Sequence, residues 1–309
     1  MKDQLKHLSK PQIRLHDDDE HDKSKHHRKR KLAISILPSA CTVFNGLAGF
    51  AAIHFATRAG MGLALPWHLK TAAWLIVLAM VFDMLDGRLA RMTKQASDFG
   101  GQLDSLCDVI SFGVAPAILM QRAVRVAIPE SLDNFSLMPE VIPGFSLIDR
   151  AVWCIAAVYV ACTVLRLARF NVENDTDESH HMEFKGLPSP AAAGAVIALV
   201  LLFATLCSNN EVWQLQEAVG IAVSIVLPVF TLIAALLMVS SFSYPHLANR
   251  FQFRQKPFGT IVTVIVLGIF MVLNLIITLT AFAIIFTLSG PACALWKKLF
   301  GKRTTNNEQ

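Results

Sequence analysis

Four carboxylates, Asp83, Asp86, Asp104 and Asp108, fall close together in a strongly apolar neighbourhood. An ionised carboxylate in or near a hydrocarbon layer is costly, and it needs a cation, a partner or a water-filled cavity. Their spacing is helical. Asp83, Asp86, Gly87, Ala90 and Arg91 stand at i, i+3, i+4, i+7 and i+8, while Gly100, Asp104 and Asp108 stand at i, i+4 and i+8. Each set therefore occupies one face of a helix. The polar stretch MTKQASDFG between them allows an antiparallel pair whose acidic faces converge, as carboxylates in a bundle core do around a metal pair. All-oxygen ligands favour Mg²⁺, Mn²⁺ or Ca²⁺ over zinc. Gly87, Ala90 and Gly100 clear space for a flat or phosphorylated ligand, and Arg91 offers a cation suited to phosphate. Such a set points to phosphoryl transfer, in which two cations clamp the phosphate. Asp98 reads as a solvated helix cap, and Arg88 and Lys94 as interfacial anchors that snorkel.

The elements that must hold these residues are membrane spans. The 309-residue chain is 54% hydrophobic and 17% charged, with mean hydropathy +0.48, whereas a soluble domain is about a quarter charged. Apolar runs near the roughly 20 residues of a crossing place spans at 34–57, 71–91, 102–120, 150–168, 188–208 and 219–240. A further run, Pro257 to Trp296, is too long for one crossing and divides near Asn274. The fold class is thus all-α, a polytopic bundle of about eight helices with both termini inside. Loop basics Arg88, Arg91, Lys94, Arg166, Arg169, Lys185, Arg250, Arg254 and Lys256 set that orientation, and Arg122 and Arg125 are exceptions.

Residues 1–32 carry ten Lys or Arg, six acids and five of the ten histidines, and read as a disordered basic cytoplasmic tail lying on anionic headgroups. The histidines read as solvated rather than metal-binding. Residues 33–240 form the expected catalytic core, 241–296 additional helices and 297–309 a cytoplasmic tail. No cleavable signal is expected, because the first apolar run follows a polar tail too long for one. The six cysteines are scattered singly and read as reduced packing residues.

The pattern Asp-x2-Asp-Gly-x2-Ala-Arg-x8-Gly-x3-Asp-x3-Asp is met at every fixed position by Asp83, Asp86, Gly87, Ala90, Arg91, Gly100, Asp104 and Asp108. It resembles the signature of the CDP-alcohol phosphotransferase family. The resemblance implies an integral-membrane enzyme that cleaves a CDP-alcohol, passes its phosphoalcohol to a second alcohol and releases CMP. It implies that Asp83, Asp86 and Asp104 ligate two Mg²⁺ or Mn²⁺ ions, with Asp108 a ligand or the base for the acceptor. It also implies that Gly87, Ala90 and Arg91 frame the CDP.

Three further stretches, VLRLARFNVEN, FKGLPSPAAAG and SFSYPHL, together with LPSACTVFNGLAGF at 37–50, resemble the bacterial membrane-integral phosphatidylserine synthase branch of that family. The HL after Tyr244 and Pro245 departs from it. This likeness implies CDP-diacylglycerol as donor, L-serine as acceptor, a bacterial inner membrane with the site facing the cytoplasm, a homodimer and no nucleic-acid partner. A zwitterionic acceptor needs a cation, which Arg166, Arg169 or Lys185 can supply, beside Asn171; the basics can equally be positive-inside anchors. Asn45 and Thr42 either line the nucleotide pocket or pack between helices. Tyr244 reads as an interfacial aromatic, and His54, His68 and His246 as ordinary residues.

Two other readings compete. One keeps the chemistry with glycerol 3-phosphate, inositol phosphate or choline as acceptor. The other is a cation transporter, which the clustering of the acids near one face disfavours.

Overall fold

Helices long and apolar enough to span a bilayer dominate the chain, and their small-residue faces decide how they pack. The structure, a computed structural model, describes residues 37–58, 65–93, 98–128, 147–176, 186–209, 213–242, 268, 270 and 274–300. Among these, seven helices are long and apolar enough to cross a membrane. They are α1 (Leu37–Arg58), α2 (Leu65–Thr93), a crossing made of α3 (Asp98–Asp108) and α4 (Ala115–Ala127), α5 (Leu147–Thr176), α6 (Ser189–Asn209), α7 (Trp213–Val239) and α8 (Leu275–Phe300). The chain is an integral polytopic α-helical membrane protein.

The six expected spans before residue 240 coincide with these helices. The expected additional span before Asn274 falls largely outside the described residues, as do the basic N-terminal tail, Lys185, Tyr244 and His246. Asn274 itself is non-helical between helical Phe270 and the start of α8, and the Thr278 hydroxyl reaches back to the Phe270 carbonyl at 3.1 Å.

The crossing that contains α3 and α4 is not a regular helix. Val109–Val114 is a π-helical turn, in which the Ala115 N–H bonds to the Ile110 carbonyl five residues back. Pro116 explains it. Proline has no N–H for the carbonyl four residues earlier, that of Phe112, and its ring crowds that carbonyl. One residue is accommodated as a bulge, a device common at functional sites.

α6 lies at the centre and packs on α2, α7 and α8, while α5 runs along α7. Small residues make the approaches close. Ala48, Ala52 and Ala56 of α1 and Ala72, Ala73 and Ala79 of α2 are buried, as expected where helices associate by close contact rather than by a hydrophobic drive. Large apolar side chains such as Leu78, Leu165, Ile225, Leu236 and Ile285 point outward, onto the perimeter that hydrocarbon covers.

Two glycines of α1 set its distance from the α3–α4 crossing. A Cβ on Gly46 would lie 2.9 Å from Cys107 Sγ, and one on Gly49 would lie 2.7 Å from Ser111 Cα. The turn before α6 is fixed by Gly186 at φ 87°, whose N–H bonds to the Phe242 carbonyl at 2.8 Å while Leu187 N–H bonds to that of Leu237 at 3.0 Å. One carbonyl in the last turn of α7, that of Leu237, and one just beyond the helix, that of Phe242, are thereby paired, and the start of α6 is anchored.

Candidate metal centre

The acids meet where the C-terminal part of α2 faces the latter half of α3. Carboxylate oxygens of Asp83, Asp104 and Asp108 all lie within 4.8 Å of one another. Asp86, one turn along α2, stands just beside this triad, within charge–charge range of the other three. Asp86 and Asp108 are buried, and Asp83 and Asp104 are half-buried. The i+3 and i+4 spacings thus bring all four to one volume. Gly87 and Gly101 face open space, since a Cβ on either would meet nothing within 4 Å.

Each acid has a different supporting set. The Asn45 side-chain Nδ2 donates to Asp108 Oδ1 at 2.9 Å, and Asn45 is wholly buried. Ser111 in turn donates to the Asn45 backbone carbonyl at 2.9 Å, tying α1 to the π-helical turn just beyond Asp108. The Thr42 hydroxyl, beside Asp86, donates to the Pro38 carbonyl at 3.1 Å. Asn171 near the end of α5 donates to Ser105 Oγ at 2.9 Å, which clamps α5 beside Asp104. Arg166 reaches in from α5: its Nη1 donates to Ser189 Oγ at 2.9 Å, and it lies within charge–charge range of Asp108. Arg91 is exposed at the rim, its Nε donating to the Gly87 carbonyl at 3.0 Å. Arg169 is exposed, and Ala90 and Gly100 are half-buried beside the acids in sequence.

Several buried polar atoms lack a protein partner: Asp86 Oδ2, Asp104 Oδ1, Asn45 Oδ1 and Arg166 Nε. In a bundle this apolar, unpaired carboxylate oxygens are a substantial cost unless something cationic meets them. Three carboxylates in mutual ligand range, with a fourth adjacent, form an all-oxygen donor set that suits a hard divalent cation. The residues present fit such an ion.

Residues 35–230 match the CDP-alcohol phosphatidyltransferase family. The chain belongs to this family. The matched stretch covers every acid of the cluster, Asn45, Arg166 and the Gly186 turn. Three relatives from different organisms are each named CDP-diacylglycerol–serine O-phosphatidyltransferase. The Mycobacterium leprae protein is 34% identical over 177 residues, 56% of this chain and 49% of the relative. The Helicobacter pylori protein is 31% identical over 214 residues, 68% of this chain and 72% of the relative. The Saccharomyces cerevisiae protein is 34% identical over 163 residues, 51% of each. The chain thus spans about half the length of the mycobacterial and yeast relatives.

Sequence reasoning passed over three residues of this family member that the structure draws in. Ser105 bonds Asn171, Ser111 bonds the Asn45 carbonyl, and the Tyr159 hydroxyl donates to the Phe112 carbonyl at 3.1 Å. Tyr159 had a legible signal: it is one of only two tyrosines and lies mid-span, where its hydroxyl needs a partner.

Proposed function

We propose that this protein is a divalent-cation-dependent CDP-diacylglycerol–serine O-phosphatidyltransferase, which converts CDP-diacylglycerol and L-serine to phosphatidylserine and CMP. The observation that carries the chemistry is the carboxylate cluster of α2 and α3, set in the family's Asp-x2-Asp-Gly-x2-Ala-Arg pattern. The choice of serine is supported by the shared name of relatives from bacteria and yeast.

Asp83, Asp86, Asp104 and Asp108 would hold Mg²⁺ or Mn²⁺, as two ions. When bound, these ions neutralise the diphosphate and the departing oxygen. Gly87, Ala90, Gly100 and Arg91 bound the open side of the cluster, where the CDP headgroup sits, with Arg91 as a cation for its phosphates. The diacylglycerol tails remain among the outward apolar side chains.

Asn45 holds one oxygen of Asp108, so the other is the base for the acceptor hydroxyl. The hydroxyl oxygen attacks the phosphorus that carries diacylglycerol, its proton passes to Asp108, and the bond to the CMP oxygen breaks. A zwitterionic acceptor has two further demands, a cation for its carboxylate and an oxygen for its ammonium group. Arg166 Nε and Asn45 Oδ1 are the complementary unpartnered pair beside Asp108. Arg169 adds positive charge on the same side, and the Asn171–Ser105 pair shapes it; Lys185 is a further acceptor-binding candidate from the sequence.

The reading extends to a bacterial inner membrane with the acid end in the cytoplasm. On α1 to α5, Arg88, Arg91, Arg166 and Arg169 belong to the acid end, while Arg58, Lys70, Arg122, Arg125 and Arg150 belong to the other, where Arg125 pairs with Asp149 at 3.3 Å. These nearly balance, so the orientation rests on the basic segments at 28–31 and 250–256. A homodimer, a tail on anionic headgroups and a catalytic core at 33–240 belong to the same reading.

Purified protein given labelled CDP-diacylglycerol and a panel of L-serine, glycerol 3-phosphate, inositol phosphate and choline tests it. The expected product is phosphatidylserine with equimolar CMP, only with Mg²⁺ or Mn²⁺, and lost in EDTA or in Asp104→Ala. Undiminished transfer in EDTA, or a product from another acceptor alone, would refute it.

A further inference from the structure

Tyr159 is wholly buried in α5, and its hydroxyl ends on the carbonyl of Phe112. That carbonyl is the one Pro116 leaves without its α-helical donor. In a membrane interior a freed carbonyl must find a partner inside the protein. One turn further along α5, Thr163 packs against Gly113, where an added Cβ would lie 3.3 Å from Thr163 Cγ2. On its other side the turn is held by Ser111 to the Asn45 carbonyl.

We propose that Tyr159 is a positioning residue: its hydroxyl secures the π-helical turn that Pro116 imposes beyond Asp108, and so fixes the direction of the Asp104 and Asp108 carboxylates. The inference rests on the reading that these acids hold the enzyme's divalent cation. A single extra residue in a helix turns everything on one side of it by about 100° relative to the other. Beyond the turn, Leu119, Met120, Ala123 and Val124 of α4 are locked in the core. The acid end of the crossing is less buried, with Gly101, Gln102 and Leu106 exposed. If the turn slackens, rotation is therefore taken up at the acids. Filling the core is not the hydroxyl's task, since phenylalanine would fill the same space.

The test is a double-mutant cycle of Tyr159→Phe and Pro116→Ala in purified protein. It reads Mn²⁺ binding by electron paramagnetic resonance, thermal unfolding, and kcat and KM for CDP-diacylglycerol. Tyr159→Phe is expected to weaken Mn²⁺ binding about 10-fold or more, the scale of losses from supporting partners of metal ligands, and to lower kcat with KM little changed. Pro116→Ala restores the backbone donor to Phe112, so Tyr159→Phe in that background should cause no further loss. Thr163→Val removes an equally buried hydroxyl that bonds only within its own helix and to Met238; it should leave Mn²⁺ binding unchanged.

Wild-type Mn²⁺ affinity in Tyr159→Phe, or losses that multiply in the double variant, would overturn the inference. Should Tyr159→Phe fail to fold, the comparison of the double variant with Pro116→Ala decides alone. Absence of Mn²⁺ binding in the wild type would instead overturn the functional reading beneath it.

Discussion

The carboxylate of Asp108 has two oxygens and more than two calls on them. Asn45 takes one, Asp83 and Asp104 lie in ligand range, and Arg166 sits in charge–charge range. A buried carboxylate in this position needs its orientation settled before any ion or substrate arrives, because loose ligands bind cations weakly. Asn45 does this with a single hydrogen bond, and Ser111 holds the backbone of Asn45 in turn. Truncation of Asn45 should therefore act on the cation before it acts on the fold. Asn45→Ala is expected to raise the Mn²⁺ concentration needed for half-maximal turnover by about 10–100-fold, read from metal titrations of CMP release. An unchanged metal requirement would leave Asn45 as a packing residue between α1 and α3.

At the scale of elements, glycines mark both close approach and deliberate vacancy, and the two predict opposite behaviour. Gly49 lies where α1 meets the π-helical turn, with Ser111 Cα 2.7 Å from the site of a Cβ. Gly49→Ala should separate the two helices and destabilise the protein by about 1–3 kcal/mol, the usual cost of overpacking. Gly87 faces open space on a helix, so Gly87→Ala should raise stability by up to about 1 kcal/mol from helix propensity. The same methyl intrudes where CDP is placed and should raise KM for CDP-diacylglycerol several-fold. Thermal unfolding in detergent and steady-state kinetics check the pair, and a Gly87→Ala enzyme with normal KM would remove that wall from the nucleotide site.

The contrast also shows what a sequence can reveal. Asp83 to Asp108 were legible because helical periodicity maps spacing directly onto a face, and the spans because a bilayer fixes their length. The π-helical turn was not, because the change of period depends on Pro116 and on a tyrosine distant in sequence, on α5. Likewise, the motif placed Asn171 among the acceptor-side residues without naming its protein partner, Ser105. Polar residues in apolar spans announce that a partner exists without naming it. Whether the last apolar run divides near Asn274 turns on a span that lies largely outside the described residues.

For the whole molecule, seven described crossings surround one polar region at one end. α1 begins at that end, α2 ends there, α3 begins, α5 ends and α6 begins, so five chain segments contribute to it. Outward apolar side chains along the same helices face hydrocarbon, which suits the lipid donor of the proposed function. The proposed function requires a divalent cation at the meeting point of α2 and α3. Crystals of the protein soaked in Mn²⁺, with diffraction collected at the manganese absorption edge, address this directly. The account predicts an anomalous peak among the Asp83, Asp104 and Asp108 carboxylates that disappears in Asp104→Asn. Carboxylates that diverge with no anomalous density among them, in protein that still transfers phosphatidyl groups, would contradict it.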